Sequence, residues 1–89
     1  MKLVINTCYG GFSVSKEWAE RLGVYCHDEE NLRYNAELIS AIEAGEDVNG
    51  ACANLKVVEL PDDCTDHYVE EYDGLESVLY VVEGKIHWA

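Results

Sequence analysis

Cysteine and histidine are the residue types in this chain that could supply a nucleophile or a metal centre. There are four cysteines and three histidines, and the compact pair Cys64 and His67 stands alone. A structural zinc site normally combines two compact pairs, so the spacing predicts no metal. Cys8 precedes a glycine loop, but no histidine stands in a pattern that would make it the base for this thiol. We therefore predict a structural thiol at Cys8, no catalytic residues, and a protein that is not an enzyme.

Carboxylates are far more abundant than any other reactive group. Eighteen acidic residues face six basic ones, which gives a net charge of −12. The excess is uneven, because residues 1–25 carry a net charge of +1 and the remainder carries −13. Such a field repels nucleic acid and anionic lipid and attracts basic protein surfaces. The charge therefore favours a basic partner over nucleic acid or membrane, although a gain in solubility is its simpler interpretation.

The acids occur in runs, within segments predicted to be loops, turns or strand ends. A rigid domain that presents such carboxylates resembles a phosphate backbone and could occupy a nucleic-acid channel lined by Lys and Arg. Nearby tyrosines could add contact area, or could line the core of the sheet. The predicted partner-binding residues are Asp28, Glu29, Glu30, Glu46, Asp47, Asp62, Asp63, Asp66, Glu70, Glu71 and Asp73.

A glycine loop between the first predicted strand and helix allows an alternative interpretation. The loop lacks both G-x-G-x-x-G and G-x-x-x-x-G-K-[ST], the patterns that cradle phosphates. A tight corner, permitted by the backbone freedom of glycine, is the simpler interpretation. The alternative ligand-binding residues, for a small molecule or a nucleotide, are Cys8, Tyr9, Gly10, Gly11, Ser15 and Lys16.

The hydrophobic pattern predicts one domain, residues 1–89, with two helices and four or five strands. Ser15 and Asn35 are predicted helix N-caps, and Gly23 and Gly45 end the two helices. Residues 24–34 have no clear secondary-structure pattern, and within them residues 27–30 are predicted to form a charged surface segment. The order β-α-α-β-β-β-β predicts an α+β fold, with about two helices on one face of a mostly antiparallel sheet. The first strand could add a parallel pair to that sheet.

The cellular location follows from patterns that the sequence lacks. No apolar stretch approaches the roughly 20 residues that span a bilayer. The start of the chain shows no basic region followed by a long apolar one, so no signal peptide is predicted. We therefore expect a cytoplasmic protein with reduced cysteines and without a cofactor.

Two regions resemble a family of small proteins encoded by phages and prophages. They are the opening NTCYGGF with Ser15 after it, and the stretches 53–63 and 71–76 with Trp88 near the end. This chain is shorter than the family between its first and second helices. The resemblance implies a phage origin, and small acidic phage proteins often resemble anti-CRISPR inhibitors that imitate DNA. We therefore expect an anti-defence inhibitor of a nucleic-acid-binding subunit in a CRISPR–Cas or other host complex. A nucleotide-binding or small-molecule-binding protein, or an enzyme, is the alternative.

Overall fold

A computed structural model describes residues 1–89, which fold into three helices and five strands. The helices are α1 (Lys16–Leu22), α2 (Glu29–Leu32) and α3 (Ala36–Glu43). The strands are β1 (Lys2–Asn6), β2 (Leu55–Glu59), β3 (Asp66–Tyr72), β4 (Leu75–Val82) and β5 (Lys85–Trp88). The predicted α+β class is confirmed, and α2 is an addition to the predicted order.

The strands divide between two antiparallel sheets, whereas the sequence predicted one. β1 pairs with β2 alone, with Val4 opposite Val57, so the parallel pairing considered for β1 does not occur. The second sheet has the order β3-β4-β5. The sequence could not reveal this division, because consecutive apolar residues in β1 show that both of its faces are buried without showing what covers each face.

The two-stranded sheet is the middle layer of the molecule. Val4 packs in a core cluster with residues of all three helices, including Trp18 and Leu38. Leu3 and Ile5 point the other way and pack with Val78 of β4 in a second cluster. Alternation along a strand sends neighbouring side chains to opposite faces, so every apolar position of β1 is used.

The helix ends follow the capping residues of the sequence. The Ser15 side chain accepts a hydrogen bond from the backbone N–H of Trp18, and Gly23 ends α1 in a left-handed conformation with φ of 70°. Asn35 caps α3 in the same way through the N–H of Leu38. These three capping predictions are confirmed. None of the three helices has the length and apolar character needed to cross a bilayer.

Two-residue turns join the strands of the second sheet. Asp73 and Gly74 connect β3 to β4, and Glu83 and Gly84 connect β4 to β5. All four residues have positive φ, as a type I′ hairpin turn requires. The turns therefore fix which side chains share a face of the sheet.

Candidate functional site

A buried ion pair joins α2 to the second sheet. Arg33 ends α2 and is 7 % exposed, and Glu76 of β4 is 6 % exposed. The guanidinium donates to both carboxylate oxygens of Glu76, at 3.1 and 2.8 Å, and to the Val4 carbonyl at 2.8 Å. Glu29 also accepts from it at 3.1 Å. Burial disfavours the charge of Arg33, but the hydrogen bonds and charges of Glu76, and then those of Glu29, hold its pKa above the ordinary value.

Asn6 extends this network to the glycine loop. Its backbone N–H donates to Glu76 at 2.8 Å, and its side-chain amide donates to the carbonyls of Cys8 and Gly74 at 2.7 Å each. Its side-chain oxygen accepts from the N–H of Asn54 at 2.9 Å. One fully buried amide therefore fixes the end of β1, the glycine loop and the β3–β4 turn relative to one another.

The glycine loop is a close-packed corner. Gly10 and Gly11 have φ of 140° and 101°. A Cβ atom on Gly74 would lie 2.6 Å from the backbone nitrogen of Gly10 and would also overlap that of Gly11. A Cβ atom on Gly10 would lie 2.5 Å from the Cβ of Cys52. The positive φ values agree with the corner interpretation, and glycine is also needed here because two backbones approach each other.

Carboxylates line the open clefts at this corner. A cleft of about 530 Å³ is lined by Tyr9, Gly10, Gly11 and Gly74 together with Glu71 and Asp73. A neighbouring cleft of about 260 Å³ is lined by Thr7, Tyr72, Leu75 and Ser77 together with Glu70, Glu71 and Glu76. We call these two clefts, which share Glu71, the acidic corner. No basic side chain lines either of them.

A third and larger cleft lies between the end of α3 and β2. Its volume is about 670 Å³, and four of its eleven lining residues are acidic, namely Glu43, Glu46, Asp47 and Glu59. Lys56 is the basic residue among them. Its lining is mostly polar and it is open to solvent. We call it the α3–β2 cleft.

The α3–β2 cleft adjoins the acidic corner at the end of β1. Asn54 lines the cleft, and its carbonyl oxygen accepts hydrogen bonds from the N–H and the hydroxyl of Thr7, each at 2.8 Å. Thr7 in turn lines the acidic corner. A single hydrogen-bonded contact therefore connects the two negatively charged regions.

The structure divides the eleven predicted partner-binding acids into three sets. Glu46, Asp47, Glu70, Glu71 and Asp73 line the acidic corner or the α3–β2 cleft. Asp28, Glu29 and Glu30 lie at the start of α2, and of these Glu29 is connected to the corner through Arg33 and Glu76. Asp62, Asp63 and Asp66 lie at the opposite end of β3, about 20 Å away for a strand of seven residues.

The alternative ligand-binding residues do not form one site. Tyr9, Gly10 and Gly11 line the acidic corner, where Glu71 and Asp73 oppose the negative charge of a phosphate. Ser15 and Lys16 line another cleft, of about 420 Å³, with His27 and Gly50. The Cys8 thiol is half-buried and lies 3.5 Å from the Tyr9 carbonyl. Lys16 therefore does not face the cleft that the two glycines form.

The cysteines and histidines are dispersed in the structure. All four cysteines are free thiols. His27 contacts the Phe12 carbonyl at 3.1 Å, and His67 contacts the Tyr34 hydroxyl at 2.9 Å. No group of three or more His, Cys, Asp or Glu side chains is placed to hold a metal ion.

Sequence reasoning missed the residues that hold the site together. Arg33 lies in a segment without a clear pattern, and Glu76 is one carboxylate among many. Two weak signals for these residues are present in the sequence. Arg33 is the sole Lys or Arg between Gly23 and Asn54, and Asn6 follows the apolar residues of the first strand. Neither signal identifies a partner 43 or 70 residues away.

No protein-family model, curated protein or solved structure matches this chain.

Proposed function

We propose that this chain is a phage-encoded, anti-CRISPR-like inhibitor that binds a basic nucleic-acid-binding surface of a host defence complex. It acts by stoichiometric binding in the bacterial cytoplasm, and its exposed carboxylates replace the phosphates of the displaced nucleic acid. The acids of the acidic corner and the α3–β2 cleft form the centre of this contact.

The observation that carries the proposal is how little of the negative charge is neutralised within the chain. Lys and Arg side chains pair with Glu43, Glu37, Glu29 and Glu76, which are four of the 18 acids, so fourteen have no such partner. Six of those fourteen line the two adjoining acidic regions, on a scaffold that buried hydrogen bonds hold in place. A rigid set of uncompensated carboxylates favours rapid, salt-sensitive association with a cationic surface.

The test compares two variants of equal net charge. E46Q/D47N/E71Q/D73N neutralises the acidic regions, whereas E17Q/E20Q/E37Q/E83Q neutralises exposed acids elsewhere, and both change the net charge from −12 to −8. Displacement of fluorescent DNA or RNA from purified CRISPR–Cas effector complexes measures inhibition. We expect the first variant to inhibit at least about tenfold less well and the second to inhibit as the parent does.

Three results would refute the proposal. The first is equal inhibition by the two variants, and the second is inhibition that does not weaken as ionic strength rises. The third is the absence of displacement from every nucleic-acid-binding defence complex tried, together with a thermal midpoint that a nucleotide raises by several degrees. That third result would favour the ligand-binding alternative, since a ligand that binds the native state stabilises it.

A further inference from the structure

The three-stranded sheet has one face that nothing in the molecule covers. Val69, Val78 and Tyr80 point towards the middle layer and pack with Leu3 and Leu60. The side chains that alternate with them therefore point away from the protein. We call this surface the outer sheet face, and it consists of Asp66, Tyr68, Glu70, Tyr72, Leu75, Ser77, Leu79, Val81, Ile86 and Trp88.

The outer sheet face is unusually apolar for a solvent-facing surface. Tyr68, Leu79 and Trp88 lie side by side across the three strands, and Val81 and Ile86 form the next row. Tyr68 is 53 % exposed, Ile86 70 % and Trp88 62 %. A contiguous patch of this kind on a soluble protein usually marks a contact with another molecule.

The charges on this face are all negative. Asp66 and Glu70 lie on it, both exposed, and Lys85 points to the other face because it pairs with Val82. The Tyr68 hydroxyl donates to Asp66 at 2.6 Å, which orients the aromatic ring and the carboxylate before any partner arrives. This hydrogen bond, and then the one from the His67 N–H, lower the pKa of Asp66, so the group stays ionised.

Aromatic rings elsewhere in this chain already hold cations. The Arg21 guanidinium lies 4.5 Å from the ring centroid of Trp18, and that of Arg33 lies 5.0 Å from the centroid of Phe12. Tyr68 and Trp88 have no such cation. Tyr68 lies beside Asp66 and Glu70 on β3, and Trp88 lies two strands away on the same face. An exposed ring next to a carboxylate fits arginine, which stacks on the ring and pairs with the acid.

A second copy of the chain does not suit this surface. Each copy would bring a net charge of −12, with Asp66 and Glu70 and no basic residue on the contact itself. Like charges at an interface oppose association. A partner that carries arginine among apolar side chains has the opposite charge and a matching apolar character.

We propose that the outer sheet face is the apolar anchor of the partner interface and binds an arginine-bearing protein surface around Trp88, Ile86 and Tyr68. The class of partner rests on the proposed function. The inference adds that the outer sheet face determines the specificity of the complex and its slow dissociation. Such contacts at the centre of an interface commonly dominate the binding energy, whereas rim charges mainly change the association rate.

A peptide titration of the whole chain tests the surface without a known partner. The probe is a synthetic peptide of alternating arginine and leucine, and the comparison is a peptide with glutamate at every arginine position. Amide chemical shifts report where each peptide binds. We expect saturable changes that concentrate on β3, β4 and β5 for the arginine peptide, and none for the glutamate peptide.

Two matched variants distinguish peptide binding at the outer sheet face from non-specific electrostatic attraction to the whole protein. I86S/W88A removes two exposed anchors, and Y25S removes a tyrosine that is 70 % exposed between α1 and α2. We expect I86S/W88A to weaken peptide binding at least about tenfold, or about 1.4 kcal/mol, and Y25S to leave it unchanged. Circular dichroism checks folding, and Y68S takes the place of the double variant if that variant is unfolded.

The outcomes distinguish this inference from the proposed function. Shifts that centre on the glycine loop or on the α3–β2 cleft, equal binding of both peptides, or a dimer that I86S/W88A abolishes would each overturn the inference. If E46Q/D47N/E71Q/D73N loses inhibition while I86S/W88A binds and inhibits as the parent does, the function stands and the outer sheet face is not the anchor. If the face binds the arginine peptide as expected but the chain displaces nucleic acid from no defence complex, the function fails alone.

Discussion

Tyr68 and Asp66 form a hydrogen-bonded pair on the surface whose titration can be followed directly. The hydrogen bond to Asp66, and then the negative charge of that group, raise the pKa of Tyr68 above 10.0. The folded protein therefore holds the phenol proton more tightly than the unfolded chain does. The resulting stability is present below pH about 10 and is lost as pH rises through the higher pKa of the folded state.

We predict that D66N shifts the titration of one phenol back towards the ordinary value. The ultraviolet absorbance of phenolate, measured as pH rises, follows all six tyrosines, and Y68F identifies the contribution of Tyr68 by removing it. An unchanged curve for D66N would show that the pair does not form in solution.

The Arg33–Glu76 pair is the other residue-scale feature with a measurable consequence. We predict that E76A lowers the free energy of unfolding by about 3–5 kcal/mol, because it leaves a buried guanidinium without its main partner. That is a large part of the roughly 5–15 kcal/mol typical of a domain. Urea unfolding measures the change, and the exposed E20A serves as the control, expected within about 0.5 kcal/mol of the parent.

A double variant shows whether the loss comes from the unpaired charge. R33M/E76L replaces both charged groups by apolar ones of similar size, so it should recover part of the stability that E76A loses. A double variant less stable than E76A would instead mean that the hydrogen bonds from Arg33 to Val4 and from Asn6 to Glu76 contribute more than the charge.

Local signals in the sequence predicted most secondary-structure elements. Ser15, Gly23 and Asn35 mark helix ends through groups within a few residues, so their role can be read without the fold. The helix α2 was missed because it has four residues and depends on Asp28 as its cap. Short helices are stabilised by tertiary contacts, here those of Leu32 and Arg33, and a sequence pattern does not contain these.

The two turn glycines provide a test at the level of elements. Gly74 and Gly84 both have positive φ, but a Cβ atom would collide with Gly10 and Gly11 at the first position and would meet nothing within 4 Å at the second. We predict that G84A lowers the free energy of unfolding by about 1 kcal/mol, for backbone strain alone. G74A should cost more than G84A, because the glycine loop must also move away. Equal losses in urea unfolding would show that the loop and the turn are not in close contact.

The candidate site was predictable only in part. The net charge predicted that acidic residues form the site. Which of these residues lie close together depends on the position of β1 between the helices and the second sheet. The long β3 separates Asp66 from Asp73, although both belong to the same acidic half of the sequence. The sequence also left a ligand-binding alternative open at the glycine loop, and only the fold shows that Gly74, Glu71 and Asp73 lie against this loop.

The charge of the whole molecule acts on its stability as well as on its partners. A net charge of −12 on 89 residues destabilises the compact state through self-repulsion. We predict that the thermal midpoint rises when ionic strength increases from about 0.01 M to about 0.15 M, since the screening length falls from about 30 to about 8 Å. Exposed pairs such as Lys2–Glu43 are too weak to reverse this trend when salt screens them.

The variants of lower charge provide the control for this salt effect. E17Q/E20Q/E37Q/E83Q has a net charge of −8, so its midpoint should rise less with salt than that of the parent. Circular dichroism during heating measures both. A midpoint that falls with salt in the parent would mean that attractive ion pairs outweigh repulsion.

The central position of β1 has a consequence for how the chain is made. A ribosome synthesises β1 well before β4. The carboxylate of Glu76 accepts a hydrogen bond from the backbone N–H of Asn6, which lies 70 residues earlier in the chain. Leu3 and Ile5 therefore lack the contact with Val78 until β4 has been translated. Contacts between segments this far apart in sequence form slowly. Until they form, the apolar side chains of β1 are exposed and can bind chaperones.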